Sequence, residues 1–310
     1  MQISIPVYQF KSFWTELQPA LTWLTNLGID YSKTRFGAYA RSISPEANPP
    51  GIHDENSRLM HDAAIEASEL DVIYKGLSHE TSEPFIQKLK EALGGPIHSL
   101  DEIAHGGSSH KARSTAFELV IASHFAMGGF KVKFDSLADV VAVDDRTTLY
   151  IECKRPFGEH RIARCTAEAY RQLKRRYEAH SHSGNCRGIY VVSAAKLWNP
   201  EYATLLIRDE ADLGEFITFC TRTFLEEKKG FWYKNLHDQT MAVAAYFQTA
   251  LKMGDQPGGY ITRLFGSMYL SQNHSTDLAD QHPERLYFNN IANRLNSGQQ
   301  SVFAGAPRPR

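Results

Sequence analysis

The sequence predicts an α/β protein: a mixed β-sheet whose core has the order α-β-β-β-α-β, flanked by helices and preceded by a helical N-terminal region. Three observations support this. Apolar residues recur at helical spacing through the first hundred residues, short alternating or continuously apolar segments follow, and a long amphipathic stretch separates the last two of them. A strand, a helix and another strand in one sheet imply a parallel, right-handed connection, so the sheet is expected to be mixed.

Residues 1–105 form the predicted helical N-terminal region. Aromatic and aliphatic residues keep helical spacing up to the proline-rich segment ISPEANPPG, and further helical stretches follow it. The region has no chemical motif in its sequence. A role as a sensor or dimerisation element is therefore suggested by its position alone.

Residues 106–200 form the predicted core. The segment ARSTAFELVIASHFAM indicates a helix that ends at a glycine pair, Gly128 and Gly129. Three strands are predicted next, at FKVKF, LADVVAV and TLYIECK. A long amphipathic helix, EHRIARCTAEAYRQLKRRYEAH, then leads to RGIYVVSA, whose continuous apolar run is typical of a buried parallel strand.

Residues 201–296 are expected to form a C-terminal α/β extension packed on the core. An amphipathic helix is predicted at about residues 209–229. The segments MAVAAYFQTALKM and YITRLFGSMYL come next, and periodicity leaves open whether they are strands or helices. Residues 297–310 are predicted to be a flexible tail.

Composition limits the classes of function. The chain has 310 residues, 42% of them hydrophobic, and a net charge of −1, so any affinity for nucleic acid must come from local clusters of charge. The sequence has neither a signal-peptide pattern nor an apolar stretch of about 18 residues, which predicts a cytoplasmic protein with no membrane partner. Four cysteines without a CxxC pair indicate reduced thiols.

The strand TLYIECK carries charged residues at two alternate positions. Side chains alternate across a strand, so Leu149, Ile151 and Cys153 share one face, which is expected to face the core. Glu152 and Lys154 share the other face, which is expected to be polar.

The preceding strand supplies a carboxylate that faces this polar side. With a turn centred between Asp145 and Arg146, paired residue numbers sum to 291, which sets Asp139 directly opposite Glu152. Two opposed carboxylates destabilise a sheet unless a positive charge lies between them, and a divalent cation would meet that need. Because the candidate ligands are oxygen atoms, with no His or Cys side chain, the pattern favours Mg²⁺ or Mn²⁺ over zinc.

Lys154 is expected one pleat repeat beyond Glu152 on the same face. Its ammonium group could reach a phosphate oxygen or an attacking water. Together with Asp139 and a metal ion, these residues would form a centre for phosphodiester hydrolysis.

This combination of element order and motif resembles the PD-(D/E)xK nuclease superfamily, which has the restriction-endonuclease-like fold. The resemblance covers roughly residues 111–194. Asp139, Glu152 and Lys154 match the motif, although an alanine precedes the aspartate where proline is common.

The resemblance implies further site residues. Glu118 matches a helix acid that some members use to hold or orient a second metal ion, and the backbone carbonyl of Cys153 would be an additional metal ligand. Gln172, on the following helix, resembles a glutamine that several branches place near the active site. The catalytic set implied is therefore Glu118, Asp139, Glu152, Lys154 and Gln172.

The implied activity is that of a Mg²⁺- or Mn²⁺-dependent nuclease, with DNA favoured over RNA as the substrate. Members of the superfamily serve in restriction, phage defence and repair. Cutting both strands of a duplex would require two such sites and hence a homodimer. The alternative is a non-catalytic nucleic-acid-binding or assembly module on the same fold, because fold does not determine function.

A basic segment follows the proposed site. Residues 154–178 contain eight Lys or Arg residues against three Glu residues. Helical spacing turns only some of them toward a substrate, and Arg155, Arg161 and Arg164 are the predicted phosphate contacts. The alternative for this segment is a solvated helix face.

Overall fold

The structure is a computed structural model, and it describes most of the chain. The described residues are 8–9, 13–44, 58–99, 101–104, 110–134, 138–145, 147–179, 185–201, 203–254, 260–270 and 283–303.

The N-terminal region is mostly helical, as predicted. Its described helices are α1 (Phe13–Asn26), α2 (Arg35–Ile43), α3 (Arg58–Leu77), α4 (Glu83–Leu93) and α5 (Asp101–Ala104). A short strand, β1 (Tyr8–Gln9), precedes them, so the region is not wholly helical.

The core has the predicted order of elements. These are α6 (Lys111–Met127), β2 (Lys131–Lys133), β3 (Val140–Val143), β4 (Thr148–Lys154), α7 (Ile162–Ala179) and β5 (Cys186–Ser193). The glycine pair ends α6 as expected: Gly129 has a φ of +80°, which turns the chain away from the helix axis.

The C-terminal part adds short helices and two long strands. Its elements are α8 (Ala195–Trp198), β6 (Leu205–Ile207), α9 (Glu210–Thr218), α10 (Phe224–Glu227), α11 (Lys229–Trp232), β7 (Thr240–Met253), β8 (Tyr260–Tyr269) and α12 (Pro283–Phe303). The two segments that periodicity left open are the strands β7 and β8. Helix α12 continues to Phe303 and so enters the predicted tail, whose last residues, 304–310, lie outside the described ranges.

All described strands belong to one eight-stranded sheet, with the order β1-β8-β7-β5-β4-β3-β2 and with β6 paired to β7. The pairs β4–β5, β5–β7 and β6–β7 are parallel and the others are antiparallel, which confirms a mixed sheet. The sheet is shared by all three regions that the sequence predicts, since β1, β4 and β7 each come from a different one.

The predicted register between β3 and β4 is confirmed. Val140 pairs with Ile151 and Val143 pairs with Thr148, so paired numbers sum to 291. Asp139 is the residue just before β3, and the same register continues it to the position opposite Glu152. The hairpin turn therefore determines which carboxylates meet.

Helices cover both faces of the sheet. Leu149 and Ile151 belong to a large core cluster with residues of α1, α3, α4 and α6. Tyr150, on the opposite face of β4, belongs to a second cluster with residues of α7, α9 and α10. The face expected to be polar is thus packed beneath helices, and Glu152 on that face has an exposed side-chain fraction of 0%.

Two other sequence expectations concern thiols and membranes. All four cysteines are free, and three of them are buried. Across the described ranges, no helix has the length and apolar character that a bilayer-spanning helix requires.

Candidate active site

Asp139 and Glu152 meet where β3 begins and β4 ends. The backbone N–H of Cys153 donates a hydrogen bond to Oδ2 of Asp139 at 2.8 Å, which holds the aspartate against β4. Glu152 comes one residue earlier on β4 and is completely buried. The hairpin register thus brings the two predicted carboxylates together.

The Glu152 carboxylate is poorly satisfied for a buried charged group. Both of its oxygens are shielded from solvent, and among the described residues neither has a hydrogen-bond partner. Lys154 Nζ lies 3.5 Å from Oε2 of Glu152 and 3.5 Å from Oδ2 of Asp139. The positive charge expected between the two carboxylates is therefore supplied, in this structure, by Lys154 itself.

The side chains of Asp139, Glu152 and Lys154 influence one another's charge. Burial raises the pKa of Glu152, and the neighbouring Asp139 carboxylate raises it further, while Lys154 opposes both effects. Burial alone would lower the pKa of Lys154, but the carboxylates of Asp139 and Glu152 outweigh it and raise that pKa. Lys154 therefore remains a charged ammonium, and Glu152 holds its proton more tightly than an ordinary glutamate, so a bound cation would be needed to favour its ionised form.

Glu118 on α6 joins the site together with a lysine that the sequence did not reveal. Lys88 Nζ, on α4, lies 2.7 Å from Oε2 of Glu118 and donates a hydrogen bond to the backbone oxygen of Asp139 at 2.6 Å. Burial and the nearby Asp139 carboxylate raise the pKa of Glu118, with Lys88 acting in the opposite direction. The predicted helix acid is thus close to Asp139, and Lys88 lies between them.

Lys88 could have been recognised only in part from sequence. The apolar stripe of α4 includes Phe85 and Leu89, and position 88 lies beside it, at the edge of the buried face. This spacing indicates a half-buried lysine but gives no indication that its partner would be thirty residues further along the chain.

Gln172 lies on α7, which packs against β4. Its Oε1 is buried and, within the described part of the chain, has no hydrogen-bond partner. Glu168 and Arg176, one helical turn before and after it, act electrostatically on Lys154 and Glu152. This face of α7 therefore borders the candidate site, which is where the resemblance described above would place Gln172.

The predicted phosphate contacts divide into two kinds. Arg161 and Arg164 are exposed where α7 begins. Arg155 has only 13% of its side chain exposed, and its guanidinium group lies 3.5 Å from the buried carboxylate of Glu102. Its observed contact is therefore internal, in contrast to the outward role that the sequence suggested.

Arg155 is next to a buried ion network that sequence analysis did not predict. Glu66 on α3 receives Arg35 Nε at 2.5 Å, Arg113 Nε at 2.6 Å and the Tyr39 hydroxyl at 2.9 Å. The network continues from Arg113 to Glu102, which also pairs with Arg155 and Lys196. It joins the N-terminal helices to the segments that follow β4 and β5.

The residues that could hold a metal ion are few. Within the described ranges, no group of three or more His, Cys, Asp or Glu side chains is arranged to bind one. The candidate donors are the carboxylates of Asp139 and Glu152 and the backbone carbonyl of Cys153. They are all hard oxygen ligands, the type that Mg²⁺ and Mn²⁺ prefer.

Comparison with known proteins gave no relative. No protein-family model matches the chain, no curated protein matches it, and no solved structure matches its fold. The geometry of the site is therefore what indicates a function.

Proposed function

We propose that this chain is a divalent-metal-dependent nuclease that hydrolyses phosphodiester bonds, with DNA as the favoured substrate. The observation that carries the proposal is the state of Glu152. It is a fully buried carboxylate whose oxygens, among the described residues, have no hydrogen-bond partner, and it lies opposite a second carboxylate with a lysine in contact with both.

The donor set fits a divalent cation. A buried carboxylate is costly without a compensating cation or hydrogen bonds, and Lys154 at 3.5 Å compensates only in part. Mg²⁺ is commonly held by one or two protein carboxylates, with waters and substrate phosphates completing its shell. Asp139, Glu152 and the Cys153 carbonyl would therefore be sufficient protein ligands for it.

Each residue of the site would then have a distinct task. A cation held there would polarise the scissile phosphate and make an attacking water more acidic. Lys154 would orient that water or stabilise the negative charge that builds on the phosphoryl oxygens. Glu118 would act as an auxiliary acid, and Gln172 would border the substrate from α7.

The surface beside the site fits a polyanion. Arg161 and Arg164 are exposed at the start of α7, one short loop after Lys154. Contacts of this type bind phosphate groups without reading the base sequence, and their affinity falls as salt is raised.

One observation favours the alternative of a non-catalytic nucleic-acid-binding module. Lys154 contacts both carboxylates, so the site carries some charge compensation without any metal ion. In that case Asp139, Glu152 and Lys154 would form a structural ion cluster, and the basic surface alone would bind nucleic acid.

Cleavage assays distinguish the two functions. Supercoiled and linear duplex DNA, single-stranded DNA and RNA are incubated with the full chain in Mg²⁺, Mn²⁺ or EDTA. We expect metal-dependent cleavage by the wild type and a loss of about 100-fold or more in Glu152→Gln and Lys154→Ala, the size seen when a group that stabilises the transition state is removed.

Two exposed residues supply matched controls. Glu178→Gln and Lys33→Ala make the same chemical changes at side chains that are 63% and 86% exposed, and both variants should cleave like the wild type. An intact wild-type protein that neither cleaves any substrate nor binds Mn²⁺, yet shifts DNA in a gel, would replace the nuclease with the binding module.

A further inference from the structure

Lys88 is a residue of the N-terminal region that lies inside the proposed site. Its ammonium is in direct ionic contact with Glu118 at 2.7 Å, and the two side chains are only 22% and 17% exposed. A pair this short and this sheltered is charge-assisted and weakly screened by salt. Lys88 therefore satisfies Glu118 to a degree that Lys154 does not reach for Glu152.

The same ammonium also binds the main chain beside the proposed metal ligand. Lys88 Nζ donates a hydrogen bond to the backbone oxygen of Asp139 at 2.6 Å. One group thus links Glu118 on α6 to the residue at the start of β3. It lies between the Glu118 carboxylate and the main chain of Asp139, on the side of the site where Glu118 would hold a second cation.

The position of Lys88 is fixed by packing. Phe85 and Leu89, on either side of it along α4, are completely buried, and the ring of Phe85 lies 5.0 Å from that of Phe134 just after β2. Because these neighbours are in the core, the backbone of Lys88 is held at a place from which its side chain reaches Glu118.

Glu118 and Glu152 therefore differ in how readily each can bind a metal ion. Among the described residues, the oxygens of Glu152 have no hydrogen-bond partner, whereas Oε2 of Glu118 is held by Lys88. A divalent ion at Glu118 would have to displace a largely buried ammonium and leave it beside a dication, which is strongly unfavourable.

The charge balance agrees with this asymmetry. When all three acids are ionised, the carboxylates of Glu118, Asp139 and Glu152 face two ammonium groups, Lys88 and Lys154, and the contact cluster has one net negative charge. One divalent ion reverses that charge to a small positive value, suited to a phosphate. A second ion would add two more positive charges in a partly buried space.

We propose that the site is built for one divalent cation, held by Asp139 and Glu152, and that the Lys88 ammonium takes the place of a second cation at Glu118. This inference rests on the proposed function, because it presumes the metal site at Asp139 and Glu152. It makes Lys88 a positioning residue and makes the N-terminal helical region part of the active site.

The test is the stoichiometry of Mn²⁺ binding to the full chain, measured by calorimetry and checked by electron paramagnetic resonance for coupled ion pairs. We expect one Mn²⁺ per chain in the wild type and two in Lys88→Met, which removes the charge and keeps the length of the side chain. The matched control is Lys90→Met, an exposed lysine on the same helix, which should bind one.

A second variant keeps the test valid should Lys88→Met fail to fold. Glu118→Gln should still bind one Mn²⁺ with an affinity within about 3-fold of the wild type, because Glu118 is not a ligand in a one-ion site. Loss of an ion in Glu118→Gln would overturn the inference.

The remaining outcomes separate the two proposals. Two Mn²⁺ ions in the wild type, or one in a folded Lys88→Met variant, would overturn the role of Lys88 and leave the nuclease proposal standing. An absence of Mn²⁺ uptake by the wild type would overturn both.

Discussion

Two buried glutamates of this protein have pKa values that are shifted in opposite directions. Glu66 in the ion network and Glu152 in the candidate site are both almost fully shielded from solvent, with side chains 5% and 0% exposed. Burial raises the pKa of Glu66, but Arg113 and Arg35 outweigh it and lower that pKa to about 2. At Glu152 burial prevails and the pKa is raised.

The difference lies in the donors that surround each carboxylate. Glu66 receives two guanidinium groups and a tyrosine hydroxyl at hydrogen-bonding distance. Glu152 has a lysine at 3.5 Å and a second carboxylate beside it. A carboxylate that the fold satisfies completely is a structural element, and one that the fold buries and leaves underpaired is suited to a ligand.

The largest expected effect comes from the satisfied carboxylate. Glu66→Gln should lower the free energy of unfolding by about 3–5 kcal/mol, because it removes the carboxylate that Arg35 and Arg113 share and leaves Arg113 with only the more distant Glu102 at 3.6 Å. Urea or guanidinium unfolding followed by circular dichroism measures this change.

The matched substitution in the candidate site should behave differently. Glu152→Gln, assayed without metal ions, is expected to cost much less or to stabilise the fold, because glutamine replaces a buried carboxyl group whose ionised form is already disfavoured. Equal losses of unfolding free energy in Glu66→Gln and Glu152→Gln would show that the two carboxyl groups contribute equally to stability.

Adding a metal ion should also distinguish the Glu66 and Glu152 variants, through a somewhat smaller change in the free energy of unfolding. At a free Mn²⁺ concentration 100 times the Kd, binding to the native state adds about 2.7 kcal/mol to the free energy of unfolding. We expect this gain in the wild type and in Glu66→Gln, and its absence in Glu152→Gln. Thermal unfolding with Mn²⁺ or with EDTA measures it, and a gain that persists in Glu152→Gln would place the ion elsewhere.

His124 on α6 isolates the effect of burial, since burial is the main cause of its shift. Its two ring nitrogens are buried and, in the described part of the chain, have no hydrogen-bond partner. Burial, aided by the positive charge of Arg263, lowers the pKa of His124 to about 3. Below the ordinary histidine pKa of about 6.5, the unfolded chain therefore takes up a proton that the folded protein does not.

Because of this difference in proton uptake, the protein should be less stable in acid. The free energy of unfolding should fall as the pH falls from about 6.5 toward 3, and His124 alone should account for about 2 kcal/mol between pH 7.5 and pH 5. His124→Phe should remove this part of the slope. The exposed His79→Phe should leave it unchanged, and an unchanged slope in His124→Phe would mean that the histidine is protonated in the folded state.

The sequence predicted the local parts of the site well. The meeting of Asp139 with Glu152 depended on the hairpin turn and on strand alternation, both of which are short-range properties, and the register is confirmed. The same logic predicted the faces of β4, although it took the Glu152 face to be polar when α7 covers it. A strand pattern shows which residues share a face but not what packs on that face.

The parts that sequence could not predict depend on contacts between distant segments. Lys88 meets Glu118 only because α4 packs on α6, and Glu66 meets Arg113 only because α3 does so. At Gly76 the two helices α3 and α6 approach so closely that a Cβ atom would lie 2.7 Å from Ser123. No periodicity in either segment encodes the partner, so these pairs required the structure.

The strand at the far edge of the sheet has a consequence for folding kinetics. β1 pairs with β8, so Tyr8 meets Ile261 across most of the length of the chain. The proposed site, by contrast, is assembled from α4, α6, β3 and β4, which are neighbours in sequence. Since contacts close in sequence form faster than distant ones, the β3–β4 hairpin of the proposed site can form early on the ribosome, whereas β1 must wait without its sheet partner until β8 has been synthesised.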